Sequence, residues 1–160
     1  MDAPPLSSGE GCTAVKILLI QGANMVWLGK REPELYGTTT AAELDDMVQA
    51  HAAERGVSLE IFYTNFEGEA INRIYRAAEE GIDGLLMNPA GFTYAGYALR
   101  DCIKAVRLPY VEVHMTNLEK RGTHSVLREV ADGYVTSMGV NSYLAGLDGL
   151  IGVIGEKANG

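Results

Sequence analysis

Cysteine is scarce: the 160-residue chain has two, Cys12 and Cys102, and neither has a partner at metal-ligand spacing. That excludes a disulfide-stapled scaffold and a thiolate metal centre. Histidine is nearly as rare, and His51, His114 and His124 are scattered, so no metal ligation is expected. Basic residues are outnumbered, 13 against 21 acidic ones, for a net charge of −8. No basic run could track phosphates, which argues against nucleic acid as a partner. No apolar stretch approaches the roughly 18 residues of a spanning helix, and the start of the chain lacks a signal-peptide pattern. No membrane partner is expected, and a cytoplasmic location is. Although Gly is plentiful at 19 residues, Gly22 and Gly29 do not fit G-x-G-x-x-G, and G-x-x-x-x-G-K-[ST] does not occur. The chain therefore reads as having no dinucleotide or phosphate-loop cofactor.

What is present is an ordinary globular composition, 47% apolar and 21% charged, at a size that suits one domain. Residues 1–14, rich in Pro, Ser and Gly, read as a flexible tail. Residues 15–154 read as the domain, and 155–160 as a second loose end. Val15 to Ile20 is a continuous β-branched and apolar run, the pattern of a strand covered on both faces. A helix is expected over Ala41–Arg55, opened by Thr40 and Glu43 as a capping box and closed by Gly56. Strand and helix patterns then alternate: strand 57–63, helix 67–80, strand 84–87, helix 94–106, strand 110–114, strand 134–138, helix 142–151. Alternation of this kind predicts an α/β fold with a mostly parallel sheet.

In such a sheet the loops that leave the strand carboxyl ends converge on one edge. Those loops hold Gln21 and Asn24, Thr64 and Asn65, Asn88, then His114, Thr116 and Asn117, and finally Asn141. Asn65 and Asn141 are read as turn or cap residues. His51 is expected to be solvated on its helix, His124 to be structural, and Cys102 to be a small buried hydrophobe. The first loop also carries Arg31 five residues before Tyr36. A guanidinium close to a phenol favours the phenolate, a candidate base, although a surface arginine beside a half-buried tyrosine has the same spacing.

These segments resemble the type II 3-dehydroquinate dehydratase family. The likeness runs from about Val15 to Leu147 and rests on Asn24, on L-G-K-R-E-P-E-L-Y-G at residues 28–37, on N-P-A-G at 88–91, on A-L-R-D at 98–101 and on E-V-H-M-T-N at 112–117. It implies a flavodoxin-like, doubly wound sheet of five parallel strands with helices on both faces. It also implies a carbon–oxygen lyase that removes an α proton and a β-hydroxyl from a carboxylated cyclic ketone through an enolate. By resemblance Tyr36 is the base and Arg31 its cationic partner. Asn24 orients a water or donor toward the enolate oxygen, and His114 is the acid, held by Glu112. Asn88 meets a substrate hydroxyl, while Thr116 and the backbone at Met115 hold the carboxylate. Asp101 matches an aspartate that serves a neighbouring subunit in homo-oligomers, trimers and dodecamers.

The chain also departs from the pattern. A histidine of the family's T-H-T-S segment is replaced by Tyr94, and the segment after the E-V-H strand is about three residues shorter. That loss leaves Gly122 at the place of an arginine, with Arg121 as a possible substitute. Groups for proton removal and hydroxide loss are kept while hydroxyl-recognising ones change. This pattern raises the expectation of an altered, less hydroxylated substrate of specialised metabolism. The alternatives are a true 3-dehydroquinate dehydratase of the shikimate or quinate pathway, an enolate-based isomerase or cyclase, and a non-catalytic binding protein of the same fold.

Overall fold

The computed structural model describes residues 13–160; the expected N-terminal tail lies almost wholly outside the described residues, and Cys12 lies outside them entirely. Five strands form one parallel sheet in the order β2-β1-β3-β4-β5: β1 Lys16–Ala23, β2 Ser58–Tyr63, β3 Gly84–Ala90, β4 Tyr110–Val113 and β5 Gly133–Val135. The helices are α1 Pro33–Tyr36, α2 Ala41–Glu54, α3 Glu67–Glu80, α4 Tyr97–Val106 and α5 Val140–Asn159. This is the flavodoxin-like order, with its switch point between β1 and β3.

Alternation along the strands sorts the core into two layers. Leu18, Ile20, Leu85, Met87 and Tyr110 face α3 and α4, meeting Ala70, Ile74, Leu99 and Ile103. Ile17, Leu19, Leu86, Val111 and Val113 face α2 and α5, meeting Leu44, Val48, Tyr143, Leu147 and Leu150. A two-residue side-chain period with both faces covered is why the central strands read as unbroken apolar runs. The capping box of α2 forms as expected: Glu43 N–H donates to Thr40 Oγ1 at 3.2 Å, and Thr40 N–H donates to Glu43 Oε2 at 2.8 Å.

Several boundaries differ from the sequence reading. β3 continues through Pro89 to Ala90 because its pairing with β1 runs on to Ala23↔Ala90. The stretch before α4 is a 3-10 turn, Gly91–Thr93, so Tyr94 precedes the helix proper. The residues read as a loose C-terminal end are helical to Asn159. There the Ile154 side chain lies over Gly84, and Lys157 Nζ pairs with Asp132 Oδ1 at 2.8 Å. His51 is not a freely solvated side chain: its Nε2 lies 2.8 Å from Asp148 Oδ1, and Arg55 grips the same carboxylate. The Arg55 bond and then His51 hold the Asp148 carboxyl below its ordinary range. Cys102 is buried among α3 and α4 residues, as expected. Among the described residues no helix is long and apolar enough to cross a membrane.

The carboxyl ends of β1 and β3 are pressed together. A Cβ on Gly22 would lie 2.1 Å from the Pro89 carbonyl oxygen, so only glycine fits there. One turn further, Ala90 carries φ 47° and ψ −117°, a conformation that L side chains adopt at a cost of roughly 1–3 kcal/mol. Ala90→Gly is therefore expected to raise unfolding stability by about 1 kcal/mol, after allowing for the entropy of the added glycine. Urea denaturation checks this, and an unchanged or lower midpoint would show that the turn is unstrained.

Candidate active site

The cleft sits at the carboxyl edge of the sheet, above the β1/β3 switch point, and encloses about 740 Å³ including its open mouth. Its walls come from three segments of the chain. The first loop contributes Asn24, Met25, Leu28, Arg31 and Tyr36. The end of β3 adds Asn88, Ala90, Gly91, Thr93 and Tyr94, and the segment after β4 adds His114, Met115, Thr116, Leu118, Arg121 and Thr123. Among the described residues no carboxylate lines it, so a protein of net charge −8 has a locally cationic cleft.

Tyr36 ends α1, whose first residue is Pro33, a proline at the position where a helix tolerates one. Its half-buried ring lies between two guanidinium groups: Arg31 Cζ is 5.4 Å and Arg121 Cζ 5.6 Å from the ring centroid. Arg121 also donates from Nη1 to Thr116 Oγ1 at 3.1 Å. The shortened loop thus does carry an arginine into the cleft. Arg31 Nε lies 3.4 Å from Glu32, at the exposed rim.

Asn24 has a left-handed backbone, φ 75°, and its N–H donates to Asn65 Oδ1 at 2.8 Å. Asn65 is therefore a brace between the loops after β1 and β2, a long-range role that local turn chemistry could not reveal. Asn117 behaves as a local cap, its Oδ1 accepting from Lys120 N–H at 3.0 Å. Asn88 is buried, donates from Nδ2 to Tyr143 Oη at 2.8 Å, and accepts from Ala90 N–H. Tyr143 in turn donates to Gln21 Oε1 at 2.8 Å. Burial pushes the Tyr143 phenol well above its ordinary pKa, against the lowering effect of its bonds to Asn88 and Gln21.

His114 is 4% exposed and Glu112 fully buried, and His114 Nε2 lies 2.6 Å from Glu112 Oε1. The edge of the Tyr134 ring also meets His114, with centroids 5.8 Å apart. Glu112 does not line the cleft; it stands behind His114. Asp101 lies elsewhere, on the exposed side of α4, in a groove shared with Arg100, Lys104 and Arg107. His124 is exposed and outside the cleft. Among the described residues no cluster of His, Cys, Asp or Glu could hold a metal ion.

The model for the family described as Dehydroquinase class II matches residues 15–151. The chain belongs to this family of enzymes. A 3-dehydroquinate dehydratase of Ralstonia pickettii is 42% identical over 135 residues, 82% of this chain and 87% of the relative. That of Leptothrix cholodnii is 37% identical over 149 residues, 91% of this chain and all of the relative. The crystal structure of a type II dehydroquinase from Butyrivibrio crossotus superposes with a TM-score of 0.84 at 31% identity, covering 86% of this chain and 98% of that one. The family name also fixes the reaction type: the class II dehydroquinases named here are hydro-lyases, and this chain is an enzyme of that type.

Sequence reasoning missed the apolar lining from Met25, Leu28 and Leu118, and the buried tyrosines Tyr110 and Tyr143 behind the cleft. Tyr110 had a visible signal, since it shares a strand face with Glu112 and His114 at a spacing of two. Tyr143, on a helix far along the chain, had none. Tyr143→Phe would leave Asn88 Nδ2 and Gln21 Oε1 without their partner, at an expected cost of about 1–3 kcal/mol. Chemical denaturation measures this, and a loss below a few tenths of a kcal/mol would mean the chain of bonds contributes little.

Proposed function

We propose that this class II dehydroquinase removes water from 3-dehydroquinate, and that Tyr36, Arg31, Asn24, His114 and Glu112 carry the reaction. The observation that carries this reading is the cleft itself, where a phenol flanked by two guanidinium groups and a carboxylate-backed histidine face one space free of acidic side chains. The relatives' common name, 3-dehydroquinate dehydratase, supports 3-dehydroquinate as the substrate.

The chemistry divides between the two ends of the cleft. Tyr36, with the Arg31 and Arg121 guanidinium groups beside its ring, takes the proton α to the ketone through its phenol oxygen. Charge then develops on the ketone oxygen as the enolate forms, and Asn24 orients a water or its own amide toward it, where a fixed dipole acts without reorganisation. When the C–O bond breaks, the departing hydroxyl takes a proton from His114 and leaves as water. His114 Nε2 is committed to Glu112, so the proton comes from Nδ1. Thr116 and the backbone at Met115 hold the substrate carboxylate, with Arg121 adjacent, and Asn88 receives a ring hydroxyl.

The expectation of a less hydroxylated substrate rested on Tyr94 and on a missing arginine. Arg121 supplies a guanidinium to the cleft, and relatives near 40% identity carry the name 3-dehydroquinate dehydratase. Tyr94, exposed at the cleft mouth, then contacts the ring hydroxyls from its phenol. The same reading includes a homo-oligomer, trimeric or dodecameric, in which Asp101, outside its own chain's cleft, reaches that of a neighbour.

A steady-state assay with 3-dehydroquinate, following the absorbance of the conjugated product, tests the reading. Tyr36→Phe is expected to fold normally and to lose at least about 100-fold in kcat. Turnover close to wild type would remove Tyr36 as the base, and a folded wild-type chain without turnover would sink the substrate. Arg121→Ala is expected to lower kcat/KM by about tenfold or more, since a hydrogen bond to a charged group is at stake. An unchanged kcat/KM would leave the missing arginine unreplaced.

A further inference from the structure

Tyr110, Glu112 and His114 occupy alternate positions at and just beyond β4, on the face turned toward α3 and α4. Glu112 has no exposed surface. A carboxylate so placed keeps its charge only if its oxygens are paired, and each of them has one donor. Oε1 meets His114 Nε2 at 2.6 Å, and Oε2 accepts from the Tyr110 hydroxyl at 3.0 Å. Tyr110 is fully buried, and nothing in the proposed reaction uses it.

The short Glu112–His114 contact has two ways to hold its proton: as carboxylate with imidazolium, or as carboxylic acid with neutral imidazole. In a dry site the neutral form gains ground unless something stabilises the anion. We propose that Tyr110 is a positioning residue for this enzyme, whose hydroxyl holds Glu112 as an anion and thereby keeps the shared proton on His114. Glu112 alone would orient the ring in either form. Tyr110 selects the form in which the ring is a strong acid.

The other groups around the pair do not replace it. Tyr134, on β5, makes a T-shaped ring contact with His114, and its hydroxyl does not bond Glu112. Arg128 stacks on Tyr134 at 4.2 Å and directs Nη1 to Glu119 rather than to Glu112. Glu119 is drawn to its own backbone and to Arg128, with His114 the weakest of its influences. Arg31, Arg121 and Tyr36 line the cleft in front of His114. Among the described residues, Tyr110 is the one side-chain donor to Glu112 besides the histidine. Burial first, then Glu112, push its phenol well above the ordinary value, so it stays a donor.

The inference rests on His114 as the acid of the proposed reaction, and its test has an arm independent of substrate. In the full-length Tyr110→Phe variant, kcat on 3-dehydroquinate is expected to fall about tenfold, a fraction of what general acid catalysis supplies, with KM changed less than twofold. In the free enzyme, nitrogen NMR of labelled histidine is expected to show the His114 resonances of the variant moved toward the neutral ring relative to wild type. Unchanged His114 resonances overturn the proposal, whatever happens to kcat. If wild type does not turn over 3-dehydroquinate, the substrate reading fails and the NMR arm still decides this one. Should Tyr110→Phe not fold, the comparison moves to a background without the buried charge. Glu112→Gln and Glu112→Gln/Tyr110→Phe are then expected to have equal kcat. A further loss in the double variant would overturn the role assigned to Tyr110.

Discussion

The pairing of β1 with β3 is the constraint on which the rest of the molecule depends. These central strands run side by side from Ile17↔Gly84 to Ala23↔Ala90, further toward the carboxyl edge than any other pair. The approach is close enough that Gly22 has no room for a side chain beside Pro89. With the two backbones locked, the chain must turn away on both sides at the same height. Asn24 and Ala90 take up positive φ there, and the first loop and the Gly91–Thr93 turn become opposite walls of one cleft. A switch point places a crevice at this position in any sheet of this order; here its width is set by a glycine facing a carbonyl.

Beneath that rim the sheet changes character from apolar to polar within one residue. Gln21 lies in register with Tyr63 on one side and Asn88 on the other. Tyr143 rises from α5 to tie Gln21 to Asn88, while Tyr63 passes outward to Asp45 at 2.8 Å. On the opposite face the Tyr110–Glu112–His114 line does the same for β4. Buried polar groups lose several kcal/mol when unpaired, so these lines have few alternative arrangements. The groups that reach the cleft, Asn88 and His114, are backed by Tyr143 and Glu112, which do not line it.

The fold was legible because its signals are local and periodic. Unbroken apolar strands, the Thr40–Glu43 box and glycine at helix ends each specify an element within a few residues, and alternation then specifies a parallel sheet. The strand ends were less legible, since β3 is prolonged through a proline by its partner and not by its own sequence. The C-terminal helix was read as too short because Gly152 and Gly155 weaken helix propensity, whereas the anchors at Ile154 and Lys157 are tertiary. In the cleft, Arg31, Tyr36, Asn24, Asn88, His114 and Thr116 could be gathered from the loops that leave the strands. Arg121 stayed ambiguous because its reach depends on the fold of a short loop. The brace from Asn65 and the support from Tyr143 were hidden for the same reason: their partners lie 41 and 55 or more residues away.

The position of Tyr36 beside both Arg31 and Arg121 ties the residue proposed as the base to the positive charge that a substrate anion would meet. Two guanidinium groups beside one ring repel, and with no carboxylate lining the cleft among the described residues an anion close to both relieves that repulsion. Glu32 does so for Arg31 alone, at the exposed rim, where screening leaves such a pair worth little. The remaining positive potential is available to a bound carboxylate, which the proposed reaction requires. Because Arg121 contacts the Tyr36 ring and also bonds Thr116, the first loop and the loop after β4 are held together through the phenol. In the proposed reaction the acid, His114, sits on the second of these loops and the base, Tyr36, on the first. The contacts of Arg121 therefore also hold the distance between those two groups, across which one substrate must fit.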